Sequence, residues 1–273
     1  MPNVLSEAQI GFFREQGYLT RLPVISEAEA AECRRRIEAY ETETGKTATE
    51  TLHIKGHLYF TWLWQLSQHP NLTGAIAELI GEDLFVMASR FWIKQPGDRK
   101  FVTWHQDLAY FGLDPQIMVT AWLALTPVTR ENGCQRFIPR SHRALQKHAE
   151  TYDPDNLLSR GQQVADVDES TAVDILLRPG EMSIHHGNLL HSSEPNVSDM
   201  RRIGFALMMF PAHVRSTLGR RPATLIRGND THGHWDHDPP PRFDRDPVIW
   251  QLMADADRAY RDKSVKQEAE VSG

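Results

Sequence analysis

The stretch RRIGFALMMFP, residues 201–211, decides between a helical and a β reading of the second half of the chain. Its residues alternate with a period of two. Arg202, Gly204 and Ala206 share one face, and Ile203, Phe205 and Leu207 share the other. A long cation followed by two very small residues suggests an inward face with room for a bound anion, while the bulky face packs on an outer layer. An arginine on an exposed edge strand would instead have polar neighbours on its own face.

The same period runs upstream as far as Asp83. DLFVMASRFWIKQPG, FVTWHQDLAYFG, MVTAWLALTPV, CQRFIPRS, TAVDILLRPG and EMSIHHG read as short strands rich in β-branched and aromatic residues, separated by Pro-Gly, Asn-Gly and Gly turns. This many strands without regular intervening helices points to an antiparallel sandwich or barrel. Before Asp83 the pattern is helical. Ser6 with Gln9 and Ser26 with Glu29 are capping boxes, and a further helix runs from Asn71 to a stop at Gly81. Downstream, Gly228 to Pro241 (GNDTHGHWDHDPPP) reads as an irregular loop. A final helix starts at Asp246-Pro247 with Ile249, Leu252, Met253 and Ala256 on one face, and the last dozen residues read as a frayed end. With no repeat or clear linker, residues 1–273 are expected to form one domain: N-terminal helices over 5–81, a β core over 83–215, and a C-terminal loop and helix over 216–262.

The 273 residues, 40% of them apolar, suffice for a core of ordinary size. A formal charge of −6 and a pI near 6.1 disfavour nucleic acid as the main partner. No apolar run approaches the roughly 18 residues of a membrane span. Two cysteines, Cys33 and Cys134, and an opening (MPNVLSEAQIGFFREQG) without an apolar signal stretch lead to the expectation of a reducing, cytoplasmic setting.

In TWHQDLAYFG, His105 and Asp107 are two apart, so on a strand they face the same way and supply two of the three ligands of a 2-His-1-carboxylate site. Alone, the pair reads more readily as polar residues on a half-exposed strand. A second copy, His234-Trp-Asp236, lies in the Pro-rich loop, where no sheet would hold it rigid. A third ligand has to come from elsewhere, and HHGNLLHSSEPNVSDMRR, residues 185–202, offers three histidines upstream of Arg202.

His105-Gln-Asp107, Glu131-Asn-Gly-Cys, Ile138-Pro-Arg-Ser-His142, Pro179-Gly180, His186-Gly187, His191, Ser193, Pro195-Asn196, Ser198 and Arg202 together resemble the phytanoyl-CoA dioxygenase family of iron(II)/2-oxoglutarate oxygenases, over roughly residues 5–215. The resemblance implies a mainly β chain with flanking α-helices, a double-stranded β-helix (jelly-roll, cupin-like) core wrapped by N-terminal helices. It implies His105, Asp107 and His191 as iron ligands, and iron(II), 2-oxoglutarate and O₂ as cofactor and co-substrates. In the family the distal histidine precedes the cofactor arginine by eleven residues, which implies Arg202 and not Arg201 as the partner of the 2-oxoglutarate carboxylate. Ser193 falls where the family has a small hydroxyl near that carboxylate. Trp122, on one strand face with Thr120 and Ala124, reads as a cofactor neighbour or as core, and His186 reads as a better supporting residue than His185. Arg140 departs from a common glycine in the Ile-Pro-x-Ser-His turn.

The presence of Asp107 implies hydroxylation, since halogenating relatives replace this carboxylate. For the substrate, Lys94, Gln95, Trp104, Gln106, Tyr110 and Phe111 are candidate pocket residues, and Lys94, Arg140, Arg215, Arg220 and Arg221 are candidate partners for an anionic group. The expectation is a small polar or zwitterionic metabolite such as 2-aminoethylphosphonate, with an amino acid, an ectoine-like compound or a natural product as alternatives. Two readings of other classes stand beside it: a jelly-roll metal- and 2-oxoglutarate-binding protein without turnover, and a zinc hydrolase built on His232, His234 and His237.

Overall fold

The computed structural model describes residues 3–158 and 160–262; the expectation for the frayed C-terminal end lies outside them. Five helices matter for the fold: α1 (Glu7–Gln16), α2 (Glu27–Thr44), α3 (Thr61–Ser67), α4 (Pro70–Ile80) and α5 (Pro247–Asp262). The two capping boxes form as the sequence predicts: the Ser6 and Ser26 hydroxyls accept from the backbone N–H groups of Gln9 and Glu29, whose side chains return the contact. Pro70 occupies the first turn of α4, and Gly81 ends that helix.

Ten strands build two facing sheets: β1 (Tyr18–Pro23), β2 (Leu84–Lys94), β3 (Val102–His105), β4 (Val119–Ala124), β5 (Gln135–Phe137), β6 (Val173–Ile175), β7 (Glu181–His186), β8 (His191–Ser193), β9 (Arg202–Pro211) and β10 (Pro222–Arg227). The large sheet runs β1-β7-β4-β9-β2-β10 and the small one β6-β5-β8-β3, with antiparallel pairing between these neighbours. Two two-residue strands complete the large sheet, His53–Ile54 antiparallel to β2 and Asp236–His237 parallel to β10, so the end of the His-rich loop is strand-paired where an irregular loop was expected. This is the expected jelly-roll core, extended by elements from outside it. β1 and β10 lie before and after the expected core of 83–215, yet both join the large sheet.

Every residue of β9 is buried, because the large sheet is covered on both faces. Its alternation sorts two cores. Ile203, Phe205 and Leu207, with Ala121 and Leu123 of β4 and Met182 and Ile184 of β7, pack against Ile37 of α2, Leu63 of α3, Ile76 of α4 and Ile249 of α5. Each such side chain removed from water contributes about 1.5–3 kcal/mol. On the other face Ala206, Trp122 and Ala124 meet Phe137 and Ile175 of the small sheet. The site lies between the two sheets, on that inner side.

Candidate active site

His105 ends β3 and His191 begins β8, and the two are directly opposite each other in the antiparallel register. Strand pairing thus brings together two imidazoles far apart in sequence, with ring centroids 4.0 Å apart. Asp107 follows after one extended residue, Gln106 (φ −126°, ψ 126°), which keeps it on the side of His105. The expected continuous strand, however, stops at His105: Asp107 opens a 3₁₀ turn, Asp107–Tyr110, that swings its carboxylate back over the histidines. Asp107 Oδ1 lies 3.3 Å from His105 Nε2 and 3.8 Å from His191 Nε2. Among the described residues these three form the one group of His, Cys, Asp or Glu side chains close enough to share a metal ion.

The protonation of the site follows from its contacts. His105 Nδ1 is 2.9 Å from the Thr103 carbonyl, and His191 Nδ1 is 2.9 Å from the Leu189 carbonyl. A carbonyl can only accept, so each Nδ1 carries the proton and each Nε2 presents a lone pair to the centre. Burial, with His105 and His185 alongside, holds His191 well below the usual imidazole range and so neutral. For Asp107 burial acts to raise the pKa, but the neighbouring imidazoles of His191, His105 and His185 outweigh it and hold the carboxyl ionised. Thr120 donates its hydroxyl to Asp107 Oδ2 at 2.7 Å and fixes the other oxygen. This donor set, two neutral imidazoles and one carboxylate with one face left open, suits a divalent iron ion.

Beside the triad a narrow cleft of about 30 Å³ runs past Thr120, Trp122, Ser193 and Arg202. Arg202 is 1% exposed, and no carboxylate pairs with it among the described residues. It donates through Nη1 to the Gly133 carbonyl, while its Nε is buried without a partner. Burial lowers its pKa to about 10, which leaves it charged at neutral pH. A buried cation without a counterion is costly, and a carboxylate entering the cleft would relieve that cost. The residues present therefore fit a dicarboxylate such as 2-oxoglutarate. Ser193 lines the same cleft, and its Oγ accepts from Lys94 Nζ at 2.8 Å, which leaves the hydroxyl proton free to donate.

The room expected beside Gly204 is taken. A Cβ there would sit 1.8 Å from the Trp122 indole, which lies under the Arg202 guanidinium at 5.4 Å. The small residues of β9 thus admit Trp122 rather than an anion, and Trp122 is both core and cleft wall. A second departure concerns the adjacent histidines. β7 points His185, not His186, inward: its Nε2 is 3.5 Å from Asp107 Oδ2 and its ring centroid 4.4 Å from that of His191. His186 faces His142 and accepts from the Asn188 backbone at 3.0 Å. Period-two alternation from Ser183, which lies on the inward face, was the available signal.

The candidate pocket residues separate as well. Tyr110 and Phe111 line a larger cavity of about 320 Å³ that meets His105 and Asp107. Gln106 is a brace, tied to the carbonyls of Ala144 and Asn188 and to the Gln146 amide. Trp104 donates to Glu169, and Lys94 is held behind the cleft by Ser193 and Glu194. Arg140 pairs with Glu15 and adopts φ +69°, so the turn keeps the left-handed geometry that a glycine would favour. Arg215 pairs with Asp114 and Arg220 with Asp236, while Arg221 faces the larger cavity.

The histidine-rich loop forms no such centre. His234 and Asp236 flank Trp235, which is 1% exposed and donates to the Val214 carbonyl; Asp236 turns out to Arg220, and His237 pairs with Asp230 at 2.9 Å.

A jelly roll that brings two buried histidines and a partly buried carboxylate together beside a buried arginine has the donor set of a non-haem metal centre. Residues 13–204 match the phytanoyl-CoA dioxygenase (PhyH) family, and the chain belongs to that family. It is 27% identical over 176 residues to a probable alpha-ketoglutarate-dependent hypophosphite dioxygenase of Stutzerimonas stutzeri, an alignment covering 61% of each chain. Among solved structures it resembles the apo form of the non-heme monooxygenase ThoJ, at 31% identity and a TM-score of 0.80 over 93% of this chain and 96% of that one. The ThoJ nickel complex is similar at 28% identity and a TM-score of 0.78, over 94% of this chain and all of that one. The curated relatives it matches are covered over about half to three-fifths of their length.

Proposed function

We propose that the chain is an iron(II)- and 2-oxoglutarate-dependent hydroxylase of a small anionic metabolite. The observation that carries this reading is the joint placement of the triad and the unpaired Arg202 on one cleft. Bound iron, with O₂ and 2-oxoglutarate, supplies the oxidising chemistry, in which 2-oxoglutarate is decarboxylated to succinate and CO₂ as a substrate C–H bond is hydroxylated. The protein's own part is positional. His105, His191 and Asp107 hold the metal on one face. Arg202 receives the distal carboxylate through paired charge-assisted hydrogen bonds, Ser193 adds a donor to it, and Trp122 walls the cleft from water.

The finer reading is that the substrate carries a phosphorus oxyanion or carboxylate. The relative named for hypophosphite supports it, as does the cationic lining of the larger cavity. The two unpaired cysteines, one buried and one partly so, favour a reducing compartment for this chemistry. The test is succinate release by the iron-loaded protein against a panel of phosphonates, carboxylates, amino acids and ectoine-like compounds. Stimulation by anionic members is expected. Absence of succinate across the whole panel would favour the binding protein without turnover.

A further inference from the structure

The cavity of about 320 Å³ beside the metal ligands has an unusual charge balance. Among the described residues its wall carries Lys55, Arg90, Arg220 and Arg221 and a single acid, Asp107, the candidate metal ligand. Two of these cations already have carboxylates: Lys55 meets Asp238 at 2.7 Å, and Arg220 meets Asp236 at 2.5 Å. Arg221 has none among the described residues. Its Nη2 donates to the Phe111 carbonyl at 2.6 Å, and its Nε is buried with no hydrogen-bond partner. The guanidinium stands 5.6 Å from the ring of Trp235, itself fixed by its bond to the Val214 carbonyl at 2.8 Å. Arg221 is thus a held cation without a carboxylate among the described residues, on the wall of the space next to the triad. Burial lowers its pKa to about 10, so it keeps its charge at neutral pH.

The remainder of the wall is largely apolar, with Met87, Phe111, Leu158, Met208 and Leu218. Pockets for drug-sized ligands begin near roughly 300 Å³, so an isolated oxyanion would fill a small part of this one. We propose that Arg221 binds the terminal carboxylate or phosphonate of a substrate whose apolar body lies against these side chains and places a C–H bond toward His105 and Asp107. An ammonium group on the same molecule would find no acid on the wall among the described residues apart from Asp107, so the site selects an anion over a zwitterion. The direction toward the metal rests on the hydroxylase reading; the selection of an anion by Arg221 does not.

The test is isothermal titration of the anaerobic protein loaded with iron(II) and 2-oxoglutarate, using octanoate, hexylphosphonate, neutral octanamide and 8-aminooctanoate. The wild type is expected to bind the two simple anions at least tenfold more tightly than octanamide or 8-aminooctanoate. Arg221→Ala should remove the preference for octanoate over octanamide with octanamide affinity unchanged, and Arg221→Lys should keep part of it. Equal binding of octanoate and octanamide by the wild type, no binding of either anion, or a preference that survives in Arg221→Ala would each overturn the proposal. Should Arg221→Ala fail to fold, Arg221→Gln and the wild-type comparison decide the same question. Repeating the titrations on metal-free protein separates the two readings: an anion preference there, with no 2-oxoglutarate-dependent absorbance in the iron-loaded protein, would sink the hydroxylase reading alone.

Discussion

Lys94 is fully buried, and its ammonium meets the Ser193 hydroxyl and the Ser193 and Glu194 carbonyls. Its strand partner in β9 is Arg202, so protonating Lys94 would set a second buried cation beside the guanidinium. Burial first, and Arg202 second, lower its pKa to about 6. Between that value and the ordinary lysine value the unfolded chain binds more protons than the folded one, so this group makes stability rise with pH across that window. Lys94→Met should flatten the corresponding slope in urea-midpoint measurements from pH 6 upward, and a slope unchanged by the substitution would contradict the assignment. It should also weaken 2-oxoglutarate binding by about two- to tenfold, the value of one neutral hydrogen bond, because the Ser193 hydroxyl loses the donor that orients it. Single residues were unevenly legible in the sequence. His105, Asp107, His191 and Arg202 were singled out through the family resemblance, by motif order and spacing, whereas His185 and His186 are chemically alike and adjacent, so the one that turns inward is set by the register of β7 on β4. The same ambiguity separates Arg220 from Arg221: only the structure shows which one Asp236 neutralises.

At the scale of the element, β9 and β4 show how packing places the site. Gly204 lies under the Trp122 indole, and the indole in turn lies under Arg202. Gly204→Ala puts a methyl group into the six-membered ring and should cost about 1–3 kcal/mol of stability, as overpacking does. Chemical denaturation of Gly204→Ala, Trp122→Leu and the double variant checks this: the loss should shrink in the Trp122→Leu background, and additive losses would contradict direct contact. Strands with clean alternation were readable before the fold was known, β9 best of all. β1 and β10 were not. Arg21 at φ +58° interrupts β1 with a register shift, and β10 is six residues long beside a loop rich in Pro and His, so neither leaves a sustained period of two. The turn at Asp107 escaped for a related reason: an i, i+2 pair stays on one side whether the second residue continues a strand or opens a 3₁₀ turn.

At the scale of the molecule, helices cover the outer face of the large sheet and the chemistry lies between the sheets. No helix among the described residues is long and apolar enough to cross a membrane. The fold class was legible because it rests on the count and period of strands, a property of the whole chain. The larger cavity was not, because its wall gathers residues from His53 to Ala256 that share no local pattern. What unites the molecule is that one cleft is lined both by the His105, Asp107 and His191 group and by Arg202, a buried cation with no carboxylate partner among the described residues. The most direct measurement of that claim is anaerobic absorbance titration of the iron(II)-loaded protein with 2-oxoglutarate. A visible charge-transfer band saturating at one equivalent per chain is expected, lost in Asp107→Ala and requiring far higher 2-oxoglutarate in Arg202→Ala. Fully loaded protein that shows no band, or a band whose 2-oxoglutarate dependence is the same in Arg202→Ala, would contradict the account.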